Sequence, residues 1–492
     1  MNRFSGICVI AAALGLALTS VTCERPTAPP NANTPPQTRL ANIPQDGTTV
    51  FALVALHWDG GDYDGYIVRY QFRYFTYHRV GLSTNWTIFD STAWKDTTGT
   101  TVTIPFNSTD SLNKQIFYVR AIDNDGNVDP NPAQKLLYTT RTAPPITTLL
   151  SPVKNAPVLA TQQITDWWGG IGITFTAHDQ AKEGGIAQYA WSVDTGPWHW
   201  LSDTSLFIPP SAFASPLNGM HTIRVTSRNT TNLVDPVGDS SVVNVIVPSF
   251  AKKVLIIHET DEYNLPFVTL GVSTAQVDSF YAQVFPGADV WNFKAKGMPP
   301  RDVLANYKLL VWHADDVPVS KPHKISDAAN IAIFTDYLKV GGKFLMSGWR
   351  ILKSFAYTSN FPHAFPPGTF VHDYLHIYAV DESDVEGDCI GGEGKGTFSS
   401  FKVDSTKLPM FPYSGKLSWV NLVTKTAGFT EGLYNYVNRD DSQYPMYRGR
   451  AIAVRYYGTV YDAIVLGFPM YFIKTDDAKV MAQQILQSLN VY

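Results

Sequence analysis

The sequence has 492 residues, enough for roughly two to four domains. Hydrophobic residues make up 45% and charged ones 16%, which excludes a disordered chain and supplies large cores. A formal charge of −4 leaves no basic excess to meet phosphate, so nucleic acid is excluded as the main partner.

The chain opens with Arg3 and then the apolar run Ile7 to Leu18, too short to span a bilayer. Residues 1–22 read as an export signal. Small residues Thr19-Ser20-Val21-Thr22 lead into Cys23, and this junction resembles a bacterial lipoprotein signal. The resemblance implies a lipid on Cys23 and a membrane anchor, and Glu24 resembles the residue after the cysteine in lipoproteins sorted to the outer membrane. Ser20 and Thr22 depart from the usual residues of that signal, so an ordinary secretory signal is the other reading. The remaining cysteines are Cys8, inside the signal, and Cys389, so the exported body has a single thiol and no intrachain disulfide. Residues 23–37 are rich in Pro, Asn and Thr and form an extended tether.

From 38 to 143 the pattern is short strands between turns. Val50–Trp58, Tyr66–Tyr74, Thr101–Pro105 and Gln115–Ile122 carry alternating or continuous apolar residues, and Asp/Gly clusters separate them. Residues 144–250 repeat the plan: Ile67-x-x-Tyr70-x-Phe72 is echoed by Ile186-x-x-Tyr189-x-Trp191. Both copies predict β-sandwiches. The run Trp58-Asp-Gly60-Gly-Asp62-Tyr-Asp64-Gly65-Tyr-Ile67 resembles fibronectin type III-like and Ig-like modules of bacterial surface proteins.

At Ala251 strands begin to alternate with helices, which predicts a parallel sheet covered on both faces, an α/β doubly wound domain over 251–492 with an insertion at about 351–450. Strands are expected at Lys253–His258, Ala288–Phe293, Lys308–His313, Ala451–Tyr456 and Ala463–Phe468, and helices at Ser273–Phe285, Pro299–Tyr307 and Asp476–Leu489. Ile325, Ala329, Ile333 and Tyr337 share a helical face, Ser326 is placed to cap that helix, and Gly341-Gly342 to stop it. The strand-and-turn order resembles the class I glutamine amidotransferase-like, or flavodoxin-like, fold. That family needs a Cys at the elbow after the strand and a His-x-Glu pair after a late strand. Here the elbow is Met346-Ser347-Gly348 and the late strand runs into Phe468-Pro469-Met470, so the resemblance implies the fold without the catalytic motif.

Several residues are candidates for chemistry. His258-Glu259-Thr-Asp261-Glu262 and His313-Ala-Asp315-Asp316 end neighbouring strands, where ligands of open α/β sheets bind, and their histidines and carboxylates suit a divalent metal or acid/base chemistry. Ser347 sits at the elbow, but Leu345 stands where a serine-hydrolase elbow has Gly. Asp59, Asp62, Asp64, Asp123 and Asp125 carry oxygens suited to calcium, and also the turn chemistry that favours Asp-Gly pairs. His372 and His376 are spaced i, i+4 within a helix expected at Thr369–Tyr378, but lack the Glu of a zinc helix. Cys389 lies in a Gly-rich run, 387–396, that reads as a loop, and is itself read as buried; no cofactor motif is present. Trp167, Trp168, Trp198 and Trp200 suit glycan stacking or a sandwich core. The expected function is a non-catalytic exported surface protein, with β modules as spacer and adhesion and an α/β domain binding a protein, peptide or glycan. Alternatives are a hydrolase of a surface polymer working at the strand ends, and a structural subunit of a surface assembly.

Overall fold

The computed structural model describes residues 32–41, 45–51, 53–78, 85–106, 113–140, 144–180, 185–230, 233–384, 389–411, 413–440 and 442–491. The export signal, Cys23 and the start of the tether lie outside the described residues. The chain is a multidomain, β-rich protein with several sheets. Among the described residues no helix is long and apolar enough to cross a membrane. Contacts divide the chain into two compact units. One holds the residues up to Ile146 with His178–Ala187 and Arg228–Asp235; the other holds Thr147–Ala177, Gln188–Ser227 and Pro236–Tyr492.

In the first unit two sheets close over one core. The smaller joins Gln37–Ala41, Leu53–Gly61 and Thr101–Pro105, all antiparallel. The larger is built on Ile67–His78 paired with Asn113–Asp123, flanked by Ala133–Thr140 and Thr87–Ser91. Side chains alternate across a strand, so Tyr70 and Phe72 point inward with Phe117, Val119 and Ala121. Trp58 of the smaller sheet meets the rings of Tyr70, Phe72 and Phe117 at 6.0, 6.3 and 6.0 Å.

The second sheet pair has the same plan. Ile146–Ser151, Ile171–His178 and Ser205–Ile208 face a five-stranded sheet centred on Gly219–Asn229 and Asp239–Ile246. Within the second unit its core of Ile173, Phe175, Ile223 and Val243 runs on into that of the α/β region.

The α/β region is organised by one nine-stranded sheet. Its order is Asp289–Asn292, Lys252–His258, Tyr307–Ala314, Lys343–Gly348, Asp462–Leu466, Ala451–Tyr457, Thr430–Asn438, Cys389–Gly394 and Phe401–Lys402. The first five strands are parallel. The last four are antiparallel, which corrects the expectation of an all-parallel sheet. The reason is connection length: the short link between Tyr457 and Asp462 can join only antiparallel neighbours, and the 351–450 insertion supplies the outer strands.

Alternation sends Leu255, Ile257, Leu310, Trp312 and Phe344 to one face, under the helix Ala328–Lys339. Val254, Ile256, Leu309, Val311 and Leu345 go to the other, under the helices Thr274–Val284 and Thr475–Ser488. Ser273 caps the first of these with a reciprocal Gln276 bond, a capping box.

Four local expectations are corrected. The 328–339 helix is preceded by Asp327, and Ser326 lies in a 3-10 turn where its hydroxyl donates to the His323 carbonyl at 2.8 Å. The buried stripe of that helix is therefore Asn330, Phe334, Tyr337 and Leu338, and Ala329 is exposed. The segments expected as helices at Pro299–Tyr307 and Thr369–Tyr378 shrink to single turns, Arg301–Leu304 and Phe370–Asp373.

Candidate functional site

The carboxyl ends of the parallel strands carry two polar clusters, separated by the same alternation that builds the core. His258, His313, Asp315 and Ser347 fall on the face of the Thr274–Val284 helix. Glu259, Trp312 and Asp316 fall on the other.

The first cluster is sealed. His258, His313, Asp315 and Ser347 are 1% exposed or less. His313 Nδ1 lies 3.0 Å from Asp315 Oδ2 and 3.0 Å from Thr260 Oγ1. Tyr281 OH donates to Asp315 at 3.0 Å, and its ring stacks on the His313 ring at 3.8 Å. Burial, then the Asp315 charge, holds the Tyr281 hydroxyl well above the usual phenol range. The backbone N–H of Tyr471 also donates to Asp315, at 3.3 Å. His258 Nδ1 lies 2.6 Å from Asp278 Oδ1 and its Nε2 3.1 Å from the Thr260 carbonyl oxygen. Burial, reinforced by His313, pulls the His258 pKa below its ordinary value, and Asp278 opposes the shift. His313 Nε2 has no hydrogen-bond partner among the described residues.

Ser347 belongs to this face but not to any reactive pair. Its hydroxyl donates to the Phe468 carbonyl at 3.0 Å and accepts from Met470 N–H at 3.1 Å. It ties the elbow to the turn after the Asp462–Leu466 strand. Gly348 is required there, since a Cβ would lie 2.5 Å from the Ala314 carbonyl oxygen.

The second cluster opens onto a cavity of ≈370 Å³ at the same strand ends, lined by Glu259, Asp261, Asp316, His323 and the lysines 294, 321 and 324. Glu259 accepts from Trp312 Nε1 at 2.9 Å and from the Lys324 backbone N–H. Asp316 accepts from Asp261 N–H and from Asn264 Nδ2, each at 3.0 Å. Both carboxyls are buried, and desolvation raises the pKa of each despite the nearby His323. Asp261 lies at the rim, pairs with Lys294 at 2.8 Å and is held below the usual carboxylate range, although burial works against the shift. A buried carboxyl with a raised pKa takes up a proton more readily than an exposed one, and the lysines add positive charge around the cavity.

Sequence reasoning grouped Asp261 with His258, His313, Asp315 and Ser347. The structure brings His313 and Asp315 together, puts Asp261 in the open cavity and leaves Ser347, within its strand, bonded to the backbone of the turn at Phe468–Met470. It adds Thr260, Asp278 and Tyr281 to the sealed cluster and His323 to the open one, and it moves Glu259 and Asp316 to the open side. Asp278 and Tyr281 were within reach of sequence reasoning, because they stand i, i+3 on a helix with a buried face. His323 carries no such signal.

Among the remaining candidates Asp59, Asp64, Asp123 and Asp125 have hydrogen-bond partners, while the buried Asp62 carboxylate oxygens have none among the described residues. Asp123 Oδ1 accepts from the N–H groups of Asp125 and Asn127, and Asn33 Nδ2 bridges Asp123 and Asp125 at 3.0 Å each. Asp64 accepts from Thr34 N–H and Asp59 from Gly60 N–H. Desolvation raises the Asp62 pKa, with the Asp64 charge adding to it. Among the described residues no group of three or more His, Cys, Asp or Glu is arranged to hold a metal ion. His372 and His376 do not share a helical face: the helix ends at Asp373 and His376 has φ 54°. Cys389 is buried at the start of a strand. Trp168 is buried, Trp167 packs edge-on against Tyr461 at 5.0 Å, and Trp198 and Trp200 stay 45% and 42% exposed.

No family model matches the chain, and no curated protein does. Among solved structures it is similar to the fibronectin(III)-like modules of Clostridium thermocellum CbhA, at 14% identity over 43% of this chain and 95% of that one, with a TM-score of 0.23. It is similar to a putative ThuA-like protein from Bacteroides uniformis, at 13% identity over 49% of this chain and 89% of that one, with a TM-score of 0.27. It is also similar to a Dscam structure, at 14% identity over 44% of this chain and 47% of that one, with a TM-score of 0.15. At these scores the likenesses carry no weight for activity.

Proposed function

We propose that this is an exported surface protein, anchored by a lipid on Cys23, in which fibronectin type III-like and Ig-like β modules serve as spacer and adhesive surface. The C-terminal domain, amidotransferase-like in plan and without the catalytic motif, binds a protein, peptide or glycan at the strand-end cavity. One observation carries the reading: the elbow hydroxyl of Ser347 is buried and bonded on both sides, while the neighbouring cavity is lined by polar and charged groups that can hold a ligand.

The full chain, purified in detergent, tests this in a thermal-shift titration with peptides and short glycans. The expected result is a saturable rise in Tm with one ligand class, lost in Lys294→Glu/Lys321→Glu, with the ligand recovered intact. No shift with any class overturns the reading. A second reading, a hydrolase of a surface polymer, draws on the raised pKa values of Glu259 and Asp316 beside that cavity. It predicts cleavage of the ligand, abolished by Glu259→Gln. Intact mass of the membrane-bound protein tests the anchor; an N-terminus other than a lipidated Cys23 overturns it.

A further inference from the structure

A second cavity, of ≈620 Å³, lies within the second unit, between the second sheet pair and the α/β region. It is formed by other elements than the strand-end cavity and does not depend on it. One wall is apolar and unusually smooth. Phe207, on the edge strand Ser205–Ile208, is paired in register with Gly172. A Cβ on Gly172 would come within 3.2 Å of the ring, and one on Gly169 within 3.8 Å, so the ring lies over glycine backbone. A ring covering a cross-strand glycine is a known device of sheets. Here the ring nevertheless stays 66% exposed and lines the cavity. Gly170, at φ +126°, completes the floor, and a Cβ there would lie 2.4 Å from the Ile208 carbonyl oxygen.

The other wall is charged. Arg301 Nε and Nη2 both donate to Asp336 Oδ2, at 2.9 and 2.5 Å, and Lys339 stands one helical turn on. Because both bonds fall on Oδ2, Asp336 Oδ1 and Arg301 Nη1 retain hydrogen-bonding capacity for a ligand. The wall thus offers an acceptor and donors held in fixed relation by an ion pair.

We propose that this cleft binds an oligosaccharide. A pyranose has an apolar C–H face and an equatorial rim of hydroxyls. The exposed face of Phe207 matches the first, and the Arg301–Asp336 pair, which can both accept and donate, matches the second. The volume lies within the roughly 300–1,000 Å³ of small-ligand pockets, so it takes a short oligosaccharide. Arg301 and Lys339 outweigh Asp336 by one positive charge, which favours a sugar carrying a carboxylate over a neutral one.

The test is an array of α- and β-linked trisaccharides of hexoses, N-acetylhexosamines and hexuronic acids, followed by calorimetric titration of the strongest trisaccharide into the full chain. A saturable signal is expected, strongest with a uronic acid. Phe207→Ala is expected to weaken it at least tenfold and Asp336→Asn several-fold, while Phe207→Tyr restores it. Phe411→Ala, an exposed ring elsewhere, and Lys294→Glu/Lys321→Glu at the strand-end cavity should leave it unchanged. Because Phe207 is largely exposed on an edge strand, Phe207→Ala should lower Tm only slightly, by the loss of its cover over Gly172, and Phe207→Tyr should keep the wild-type Tm. No binding to any trisaccharide, binding indifferent to Phe207→Ala, or binding of tripeptides at the same cleft instead of sugars overturns the proposal.

Discussion

The two clusters at the strand ends are neighbours in sequence and opposites in physics. His258 precedes Glu259, and Asp315 precedes Asp316. One residue of offset sends each pair to opposite faces of the sheet. On one face the groups are covered by Tyr281 and the Phe468–Tyr471 turn, and bond to one another except at His313 Nε2. On the other they border a cavity ringed by lysines. Polar residues after a parallel strand are therefore not one site by default; parity decides which can meet a ligand.

The largest way to break the comparison is to remove a member of the sealed face. Asp315 accepts from His313, Tyr281 and Tyr471 N–H with no exposure to water. Asp315→Ala leaves the Tyr281 hydroxyl and the Tyr471 N–H without this acceptor in a buried site, His313 Nδ1 keeping only Thr260 Oγ1, and is expected to cost about 3–5 kcal/mol. Asp315→Asn, which keeps the shape and one acceptor, should cost less. The measurement is the urea midpoint, read with the slope to check that unfolding stays two-state. A loss under about 1 kcal/mol for the Ala variant would mean that water reaches this cluster.

How much of this the sequence carried differs by region. Apolar runs such as Lys253–His258 and Lys308–His313 identified the central parallel strands within a residue or so, because buried strands need continuous hydrophobic residues. The outer strand Cys389–Gly394 was invisible for the opposite reason. Its glycines read as a loop, yet a Cβ on Gly391 would lie 2.2 Å from the Phe401 carbonyl oxygen, so the close strand approach excludes the β-formers that would have signalled it. In the candidate site the polar residue types at the strand ends could be read from the sequence, but not their division between the two faces. Treating all of them as one convergent cluster ignored alternation, which the apolar residues of the same strands already displayed.

The clusters should also answer pH in opposite directions. His258 is held below its unfolded value of 6.5, so the unfolded chain binds the extra proton between the two values. Its contribution to stability is complete above pH 6.5 and falls as pH drops through that window. Glu259 and Asp316 are held above their unfolded values of 4.5 and 3.8, so the folded chain binds the extra protons. Their contribution is complete below those values and is lost as pH rises through the folded ones. Tm profiles from pH 4 to 8 should therefore separate two variants. In His258→Gln the acid-side decline should flatten. In Glu259→Gln the gap to wild type should move in the variant's favour as pH rises. Parallel profiles for wild type and both variants would remove the electrostatic distinction between the faces.

The smallest effect is expected at the rim, and it sharpens the contrast most cleanly. Asp261 and Lys294 are paired at 2.8 Å, with side chains 26% and 42% exposed. Water and salt screen such a pair, so Asp261→Ala should cost only about 0–1 kcal/mol, with the difference shrinking further at 1 M salt. The backbone N–H of Asp261 would still reach Asp316, because that bond does not use the side chain. The same variant removes a carboxylate from the mouth of the cavity and leaves Lys294 unpaired there, so it should strengthen capture of an anionic ligand even as stability barely moves. A cost comparable to that of Asp315→Ala would mean that the rim pair holds the loop between the strand and the Thr274–Val284 helix in place. The open face would then be structural, like its neighbour.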